Sequence, residues 1–297
     1  MRTQIFLLSF LIGSVFGWFR DEYVREKVFP LAAAAYSDDP EACVEKIFKN
    51  ATVRTKVTRL CGNGYVEPED CFAYTGVAHD EKVIFISFRG TNGIIQLIYE
   101  ARRTVFRNKI PTQAGGNVSE YFYSVYRSIL DTGLAREVLQ LRHDHPDYDI
   151  IVTGHSLGGA MASIAAFDLV TFAKVDAEKV KLVTFGQPRT GDREFAEVHD
   201  ELIPHAYRIT HARDVVPHVP PLNFQGYYHH ATEVWYNNKM LPGDGYIICE
   251  ELESNNCSNR NYVNHSVLAH LYYYNILVSD FGIAGCPADL KNVRRLG

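Results

Sequence analysis

The chain has 297 residues, of which 46% are hydrophobic and 12% aromatic, a content that supports one large packed core and excludes disordered and collagen-like chains. Lysine and arginine number 30 against 35 aspartate and glutamate residues, for a formal net charge of -5. Because the sequence has no long basic run, it argues against a nucleic-acid-binding protein, which would carry a basic stripe.

The first residues of the chain form its longest apolar stretch. Arg2 precedes an apolar run over 5–15, which has the length of a signal-peptide hydrophobic region and is too short to cross a bilayer. Compact residues favour cleavage after Gly17, although an uncleaved anchor or a buried helix is the alternative. We therefore expect residues 1–17 to be a secretory signal peptide, and residues 18–297 to form a single domain without a transmembrane segment.

Hydrophobic patterning of the remaining chain predicts strands that alternate with helices. The spacing of apolar residues indicates helical segments between 22 and 48 and from 120 to 142. Runs of β-branched and aromatic residues without polar alternation predict strands buried on both faces, at 82–88, 148–153, 179–185 and 206–210. This order predicts an α/β fold with a largely parallel central sheet flanked by helices, whose ligand sites lie beyond the carboxyl ends of the strands.

The strongest chemical signal is the pentapeptide Gly154-His155-Ser156-Leu157-Gly158, which follows one predicted strand and precedes a segment of helical composition. A G-x-S-x-G motif in this context predicts a nucleophile elbow, a sharp turn that holds the serine in a strained backbone conformation. The two glycines supply the room that the turn needs. The following helix places free amides and its positive dipole end beside the serine, where negative charge develops. Ser156 is therefore the candidate nucleophile.

A serine hydroxyl needs a neutral imidazole to accept its proton and a carboxylate to fix the tautomer of that ring. In hydrolases with this elbow, both partners follow the serine in the order carboxylate, then histidine. Asp192, Asp200 and Asp214 are the candidate carboxylates, and His265 and His270 occupy the C-terminal segment. Spacing alone leaves the choice among these residues open.

Five short segments in the same order carry a family resemblance. They lie at 88–91 (FRGT), 154–160 (GHSLGGA), 184–191 (TFGQPRTG), 214–217 (DVVP) with the following proline pair 220–221, and 266–273 (SVLAHLYY). Together they resemble the fungal-type class 3 triacylglycerol lipases, a family of α/β-hydrolases, over most of the chain. The resemblance implies an α/β-hydrolase fold with a short lid helix.

The resemblance also implies a role for each site residue. It makes Ser156 the nucleophile, Asp214 the orienting carboxylate and His270 the general base, the last from its His-Leu-x-Tyr context. Thr91 and the backbone amide of Leu157 are implied as the oxyanion hole, in which each donor contributes about 3 to 4 kcal/mol. In a neighbouring family segment, His230 is expected to be structural.

The segment that follows Thr91 carries the implied lid. Its apolar residues Ile94, Leu97 and Ile98 fall on one face of a helix. In the family this segment covers the site in water and opens at a lipid surface, but a helix that faces the core has the same periodicity. The segment lacks the tryptophan of the fungal pattern.

All six cysteines follow the predicted signal peptide, and their even number in an oxidising compartment favours three disulfides. Counting alone permits 15 pairings, whereas the absence of a C-x-x-C pair argues against zinc. The resemblance implies the pairs Cys43 with Cys286, Cys61 with Cys71, and Cys249 with Cys257. Four N-x-S/T sequons fit secretion, at Asn50, Asn117, Asn256 and Asn264.

The motif and the resemblance together predict a secreted serine hydrolase that cleaves carboxylic esters through an acyl-enzyme, with fatty-acyl esters of glycerol as substrates. This chemistry requires neither a metal nor an organic cofactor. The expected partners are a lipid or other ester substrate and, transiently, a lipid–water interface, with no nucleic acid. The alternatives are a phospholipase A1 or feruloyl-type esterase of the same fold, or a catalytically silent lipid-binding protein.

Overall fold

The computed structural model of the chain describes residues 18–61, 69–91, 106–261, 263 and 266–288. The predicted signal peptide at 1–17 lies outside these ranges. So do the implied lid residues Ile94, Leu97 and Ile98, the sequon at Asn264 and the candidate base His265.

Most strands of the described chain belong to one eight-stranded sheet, with the order β1-β2-β3-β6-β7-β9-β11-β12. In chain order the strands are β1 Ala51–Cys61, β2 Glu69–Ala78, β3 Val83–Phe88, β4 Lys109–Pro111, β5 Asn117–Ser119, β6 Asp149–His155, β7 Val180–Phe185, β8 Gly191–Asp192, β9 Ala206–His211, β10 Tyr227–Tyr228, β11 Glu233–Tyr236, β12 Ile247–Cys249, β13 Tyr272–Tyr273 and β14 Ile276–Leu277. Strands β4, β5, β8 and β10 form a small second sheet, and β13 pairs with β14.

The centre of the main sheet is parallel, from β3 through β6, β7 and β9 to β11. All residues of β3, β7 and β9 are buried, as are those of β6 after Asp149. Such strands have helices over both faces, which explains why their sequences are rich in β-branched and aromatic residues and lack a regular apolar–polar alternation. The predicted α/β fold with a largely parallel sheet is confirmed.

Helices flank the sheet on both faces. They are α1 Asp21–Tyr23, α2 Phe29–Ala34, α3 Glu41–Ile47, α4 Glu120–Ile129, α5 Ala135–Asp144, α6 Leu157–Thr171, α7 Arg193–Leu202, α8 Val267–Leu271 and α9 Val278–Ile283. Wider π-helical turns at Val24–Val28 and Leu130–Leu134 join α1 to α2 and α4 to α5, and single 3-10 turns lie at Ala177–Lys179, Val216–His218, Phe224–Gly226 and Ser258–Arg260. Within the described ranges, no helix combines the length and hydropathy that crossing a membrane requires.

Two hydrophobic cores lie on opposite faces of the sheet. Ile84 and Ile86 of β3 pack into the core that contains α4, α5 and α6, whereas Val83 and Phe85 pack into the core that contains α2 and α3. This division follows from the period of two along a strand, which sends successive side chains to opposite faces. The sheet is therefore packed between two helical layers.

The edges of the main sheet are antiparallel, and the hydrophobic pattern did not predict them. β1 pairs with β2, and β12 pairs with β11, in antiparallel registers. Along β1 most residues are exposed or half-buried, in an alternating pattern over its first half. An edge strand with one solvated face contains many polar residues, so β1 lacks the continuous apolar run of the central strands.

Three disulfides join the cysteine pairs that the resemblance implies. Cys43 pairs with Cys286, Cys61 with Cys71, and Cys249 with Cys257, with Cα separations of 4.9, 5.7 and 6.1 Å. The first disulfide joins α3 to the residues after α9 and closes a loop of 243 residues, whereas the third closes a loop of 8 residues. The first bond therefore connects the beginning of the described chain to its end.

We expect the Cys43→Ala/Cys286→Ala variant to lose about 5 kcal/mol of unfolding free energy in the chain-entropy description of disulfides. The Cys249→Ala/Cys257→Ala variant is the matched control, with an expected loss of about 2.5 kcal/mol because its loop is short. Urea denaturation of both variants measures the difference. Equal losses would contradict an effect that acts through the unfolded chain.

Candidate active site

The candidate nucleophile lies at the turn between the central strand β6 and helix α6. Ser156 has the backbone angles φ 61° and ψ -128°, in the left-handed region that residues with side chains rarely adopt. A Cβ at Gly154 would lie 2.4 Å from the backbone of Gly158, and one at Gly158 would lie 2.1 Å from the carbonyl oxygen of Phe88. Both glycines are therefore required by close backbone packing, and the strand–turn–helix context of the motif is present.

The candidate carboxylate and histidine lie close together, beyond the carboxyl ends of the central strands. Asp214 follows β9, and its segment forms a parallel bridge with Ser266, the N-cap of helix α8 that contains His270. His270 Nδ1 lies 2.9 Å from Asp214 Oδ2, and both side chains are buried. Because a carboxylate only accepts, this contact places the proton on Nδ1 and leaves Nε2 free to accept a proton.

Two further donors fix the carboxylate of Asp214. The Tyr273 hydroxyl donates to Oδ2 at 2.7 Å, and the Val216 amide donates to Oδ1 at 2.8 Å. Burial alone would raise the pKa of Asp214, but the adjacent His270 and these hydrogen bonds outweigh burial and lower that pKa. Asp214 is therefore a buried, ionised acceptor that can stabilise a positive charge on His270.

Ser156 and His270 share a cavity of about 60 Å³ with Thr91. Among the described residues, the Ser156 hydroxyl and His270 Nε2 are both buried without a hydrogen-bond partner. Buried polar atoms without partners are costly, and at functional sites they are often the atoms that engage a ligand. The cavity therefore presents an unpaired hydroxyl and an unpaired imidazole nitrogen to the same small volume.

Of the two implied oxyanion-hole residues, Thr91 lines the cavity, and Leu157 directly follows Ser156 in the chain. Thr91 follows the carboxyl end of β3, and Leu157 is the first residue of α6, where the helix amides point toward the turn. The dipole of this helix adds positive potential at the same position. This end of the sheet can therefore stabilise negative charge beside the Ser156 hydroxyl.

Gly186 packs directly against the Asp214–His270 pair. Its φ is +60°, and an added Cβ would lie 2.8 Å from His270 Nδ1 and 2.9 Å from Asp214 Oδ2. We expect Gly186→Ala to lower kcat by about 100-fold, because a displacement of about 1 Å in the reacting groups has an effect of that size. Gly245→Ala is the control, since a Cβ there meets nothing within 4 Å. Ester hydrolysis by both purified variants measures the effect, and equal activities would refute it.

The two competing carboxylates lie on helix α7. Asp192 is the N-cap of α7 and binds the Phe195 amide and the Asn117 side chain. Asp200 lies within α7. His230, for which a structural role is predicted, is buried and contacts the Gln187 side-chain nitrogen at 3.1 Å.

Other residues around the site were not singled out in the sequence. Tyr273 belongs to the SVLAHLYY segment, but its bond to Asp214 depends on the turn after α8. Arg189 forms a buried two-point ion pair with Glu253 and donates to the carbonyl of Pro220, which holds the loop after Asp214. The only sequence signal for this contact was that Arg189 belongs to the TFGQPRTG segment of the family resemblance.

A larger cavity of about 230 Å³ lies elsewhere in the fold, against α4, α5 and α6. It is lined mainly by apolar side chains and contains none of Ser156, Asp214 and His270. The cavity that contains the candidate nucleophile and base is therefore the smaller of the two. In the described ranges, no group of three histidine, cysteine or carboxylate side chains is arranged to hold a metal ion.

Comparison with known proteins places this geometry in a family. Residues 85–224 match the family model for lipase (class 3). A lipase of Caenorhabditis elegans is 33% identical over 98% of this chain and 91% of its own length. A secreted mono- and diacylglycerol lipase of Fusarium solani is 28% identical over 71% of this chain and 62% of its own length.

A solved triacylglycerol lipase, in which a serine protease triad forms the catalytic centre, superposes with a TM-score of 0.74 and 28% identity, over 88% of this chain and 97% of its own. The region that matches the family model includes the nucleophile turn, strands β6, β7 and β9, and Asp214. The chain therefore belongs to the class 3 lipase family, and it is a serine hydrolase of carboxylic esters.

Proposed function

We propose that this protein hydrolyses triacylglycerols, with Ser156 as nucleophile, His270 as general base and Asp214 as the carboxylate that orients His270. The observation that carries the proposal is the shared cavity, in which the unpaired Ser156 hydroxyl faces the same volume as the unpaired Nε2 of an Asp214-bound His270. Thr91 and the Leu157 amide supply the oxyanion hole in this proposal.

The proposed reaction has two stages. Ser156 Oγ attacks the ester carbonyl carbon while His270 Nε2 takes the hydroxyl proton, and the negative oxygen of the tetrahedral intermediate accepts hydrogen bonds from Thr91 and Leu157. The carbon–oxygen bond to the alcohol breaks, and the alcohol leaves with the proton from His270. Water then attacks the acyl-enzyme, gives its proton to His270, and releases the carboxylic acid as the proton returns to Ser156.

Exposed apolar side chains support a lipid substrate. Leu268, two residues before His270, is 53% exposed, and Val263 on the preceding segment is 56% exposed. Both residues flank His270 in the chain, where a lipid–water interface would meet the helix that contains the proposed base. The names of the similar triacylglycerol lipase and of the mono- and diacylglycerol lipase agree with acylglycerol substrates.

A substrate panel tests the substrate class. The wild-type protein is assayed on a long-chain triacylglycerol emulsion, a phosphatidylcholine dispersion, a feruloyl ester and a soluble short-chain ester. We expect the fastest release of acid from the triacylglycerol emulsion. A preference for phosphatidylcholine or the feruloyl ester would replace the proposed substrate and retain the esterase chemistry. Absence of turnover on every ester would overturn the proposal.

We also propose that the protein is secreted. Three disulfides support an oxidising compartment. Asn50 and Asn256 are exposed sequon residues, whereas the Asn117 side-chain nitrogen donates to Asp192 Oδ2 at 2.7 Å. A glycan attached to that nitrogen would disturb this hydrogen bond.

The sequons should therefore differ in occupancy when the protein is secreted from a eukaryotic cell. We expect glycans at Asn50 and Asn256, and an unmodified Asn117. Peptide mass spectrometry after enzymatic deglycosylation in heavy-oxygen water measures each site. A fully occupied Asn117 would contradict the expected protection.

A further inference from the structure

His155 lies between a tyrosine and the candidate base, and the reaction described above does not use it. Its Nδ1 is 2.7 Å from the Tyr36 hydroxyl, and its Nε2 is 2.9 Å from the backbone carbonyl oxygen of His270. The rings of His155 and His270 stack, with centroids 4.5 Å apart and an angle of 26° between planes. His155 therefore touches both the backbone and the ring of His270.

The chemistry of these partners fixes the direction of both hydrogen bonds. A carbonyl oxygen can only accept, so the proton of a neutral His155 must be on Nε2. Nδ1 is then an acceptor, and the Tyr36 hydroxyl must donate to it. The chain of donors runs from Tyr36 through His155 to the carbonyl of His270.

His155 stays neutral under all conditions in which the enzyme would work. Burial, followed by repulsion from His270, lowers the pKa of His155 to about 3. A neutral ring keeps Nδ1 free to accept from Tyr36. It also places an uncharged aromatic face, rather than a second cation, against His270 when that residue takes a proton.

Tyr36 extends the contact to the loop that contains Thr91. It lies just after helix α2, lines the 60 Å³ cavity, and its hydroxyl would lie 2.3 Å from a Cβ at Gly90. Burial raises the pKa of Tyr36, and this effect outweighs the lowering by the nearby Arg89 and by a hydrogen bond to the Gly90 backbone. One hydroxyl thus contacts the end of β3 and the residue that precedes the nucleophile.

We propose that Tyr36 and His155 are positioning residues, which act as one unit to hold the backbone and ring of His270 in reach of Ser156. This inference rests on the proposed function of Ser156 and His270. Asp214 holds one nitrogen of the His270 ring, and His211 Nδ1 lies 2.9 Å from the carbonyl oxygen of Ala269, but neither contact reaches the carbonyl of His270 itself. The Tyr36–His155 pair restrains the carbonyl of His270, through residues that lie far from α8 in the chain.

The test uses Tyr36→Phe, His155→Phe and the double variant. Each single change removes the hydrogen bond between the two side chains and retains an aromatic ring. We expect each to lower kcat on a soluble short-chain ester by about 10-fold with KM changed less than about 2-fold, because ring placement and not substrate binding is affected. The double variant should lose no more than the more impaired single variant, since residues that act as a unit are not additive.

Tyr148→Phe is the matched control. The Tyr148 hydroxyl contacts His79 Nδ1 at 3.1 Å, in a second tyrosine–histidine pair located at the amino end of β6, away from Ser156. This variant should retain wild-type kcat. Thermal melting of each variant separates a loss of folded protein from a loss of turnover, and the rate of labelling by a fluorophosphonate should fall with kcat for the Tyr36 and His155 variants.

The positioning role would be overturned by an unchanged kcat in Tyr36→Phe, by additive losses in the double variant, or by an equal loss in Tyr148→Phe. A loss in Tyr36→Phe without one in His155→Phe would also overturn it, because Tyr36 would then act on the substrate directly. If the wild-type protein itself neither hydrolyses the ester nor reacts with the fluorophosphonate, the proposed function fails instead.

Discussion

Ser156→Ala should remove nearly all ester hydrolysis, with a loss in kcat of about 10⁵-fold or more, comparable to the loss of a triad nucleophile in other serine hydrolases. The change deletes one oxygen atom at a strained turn and leaves the cavity, Asp214 and His270 in place. Acid release from a soluble short-chain ester and from a triacylglycerol emulsion measures the loss. Covalent labelling by a fluorophosphonate should disappear in parallel.

Ser279 offers a matched control for this experiment. It is the other serine that lines the same cavity. Ser279→Ala should keep activity within about threefold of wild type, because Ser279 lies on α9 and lacks the elbow geometry of Ser156. Full activity in Ser156→Ala, or labelling that moves to Ser279, would show that the nucleophile is assigned to the wrong residue.

Asp214→Asn is expected to lower kcat by about 10⁴-fold with little change in fold, as for the equivalent substitution in a serine protease triad. An amide nitrogen at this position would donate to His270 Nδ1, which places the ring proton on Nε2 and prevents that nitrogen from accepting the serine proton. The variant also removes the negative charge that stabilises the imidazolium. Steady-state kinetics on a soluble ester, together with thermal melting, measures the effect.

The control for this second prediction is Asp192→Asn, which changes a competing carboxylate that caps α7. We expect this variant to keep the N-cap, because the oxygen of an asparagine side chain still accepts from the Phe195 amide, and to keep kcat near the wild-type value. A larger loss of kcat in Asp192→Asn than in Asp214→Asn would reverse the assignment of the carboxylate.

The parts of the fold that the sequence predicted depend on local signals. Strands β3, β6, β7 and β9 are buried on both faces and are rich in β-branched and aromatic residues, a pattern that can be recognised without knowing the neighbouring strands. The elbow is also local, because the glycines that make room for Ser156 lie two residues away from it. These elements required no knowledge of tertiary contacts.

The parts that the sequence did not predict depend on distant contacts. β11 and β12 are only four and three residues long, and their strand character comes from pairing with each other and with β9. The Tyr36–His155 contact joins residues 119 positions apart, and the G-x-S-x-G motif that contains His155 does not indicate its partner. Periodicity cannot identify contacts of this kind.

Asp214 and the disulfides were neither predicted from a local pattern nor missed altogether, because the family resemblance implied them. Spacing left Asp192, Asp200 and Asp214 open, and only the family resemblance distinguished them. The structure supplies a physical distinction. Asp192 caps the start of α7, whereas Asp214 forms a β-bridge with Ser266 at the start of the helix that contains His270. Cysteine pairing similarly needs Cα separations, which a count of six cannot provide.

The long chain separation within the site has a consequence for the timing of synthesis. His155 and His270 are 115 positions apart, so at about 5–20 residues per second their codons are read on the order of ten seconds apart. During that interval the emerging chain contains the proposed nucleophile without its base. A chain still attached to the ribosome would therefore be harmless to the membrane lipids beside it, and hydrolytic capacity would begin only after the segment 266–288 has emerged and docked.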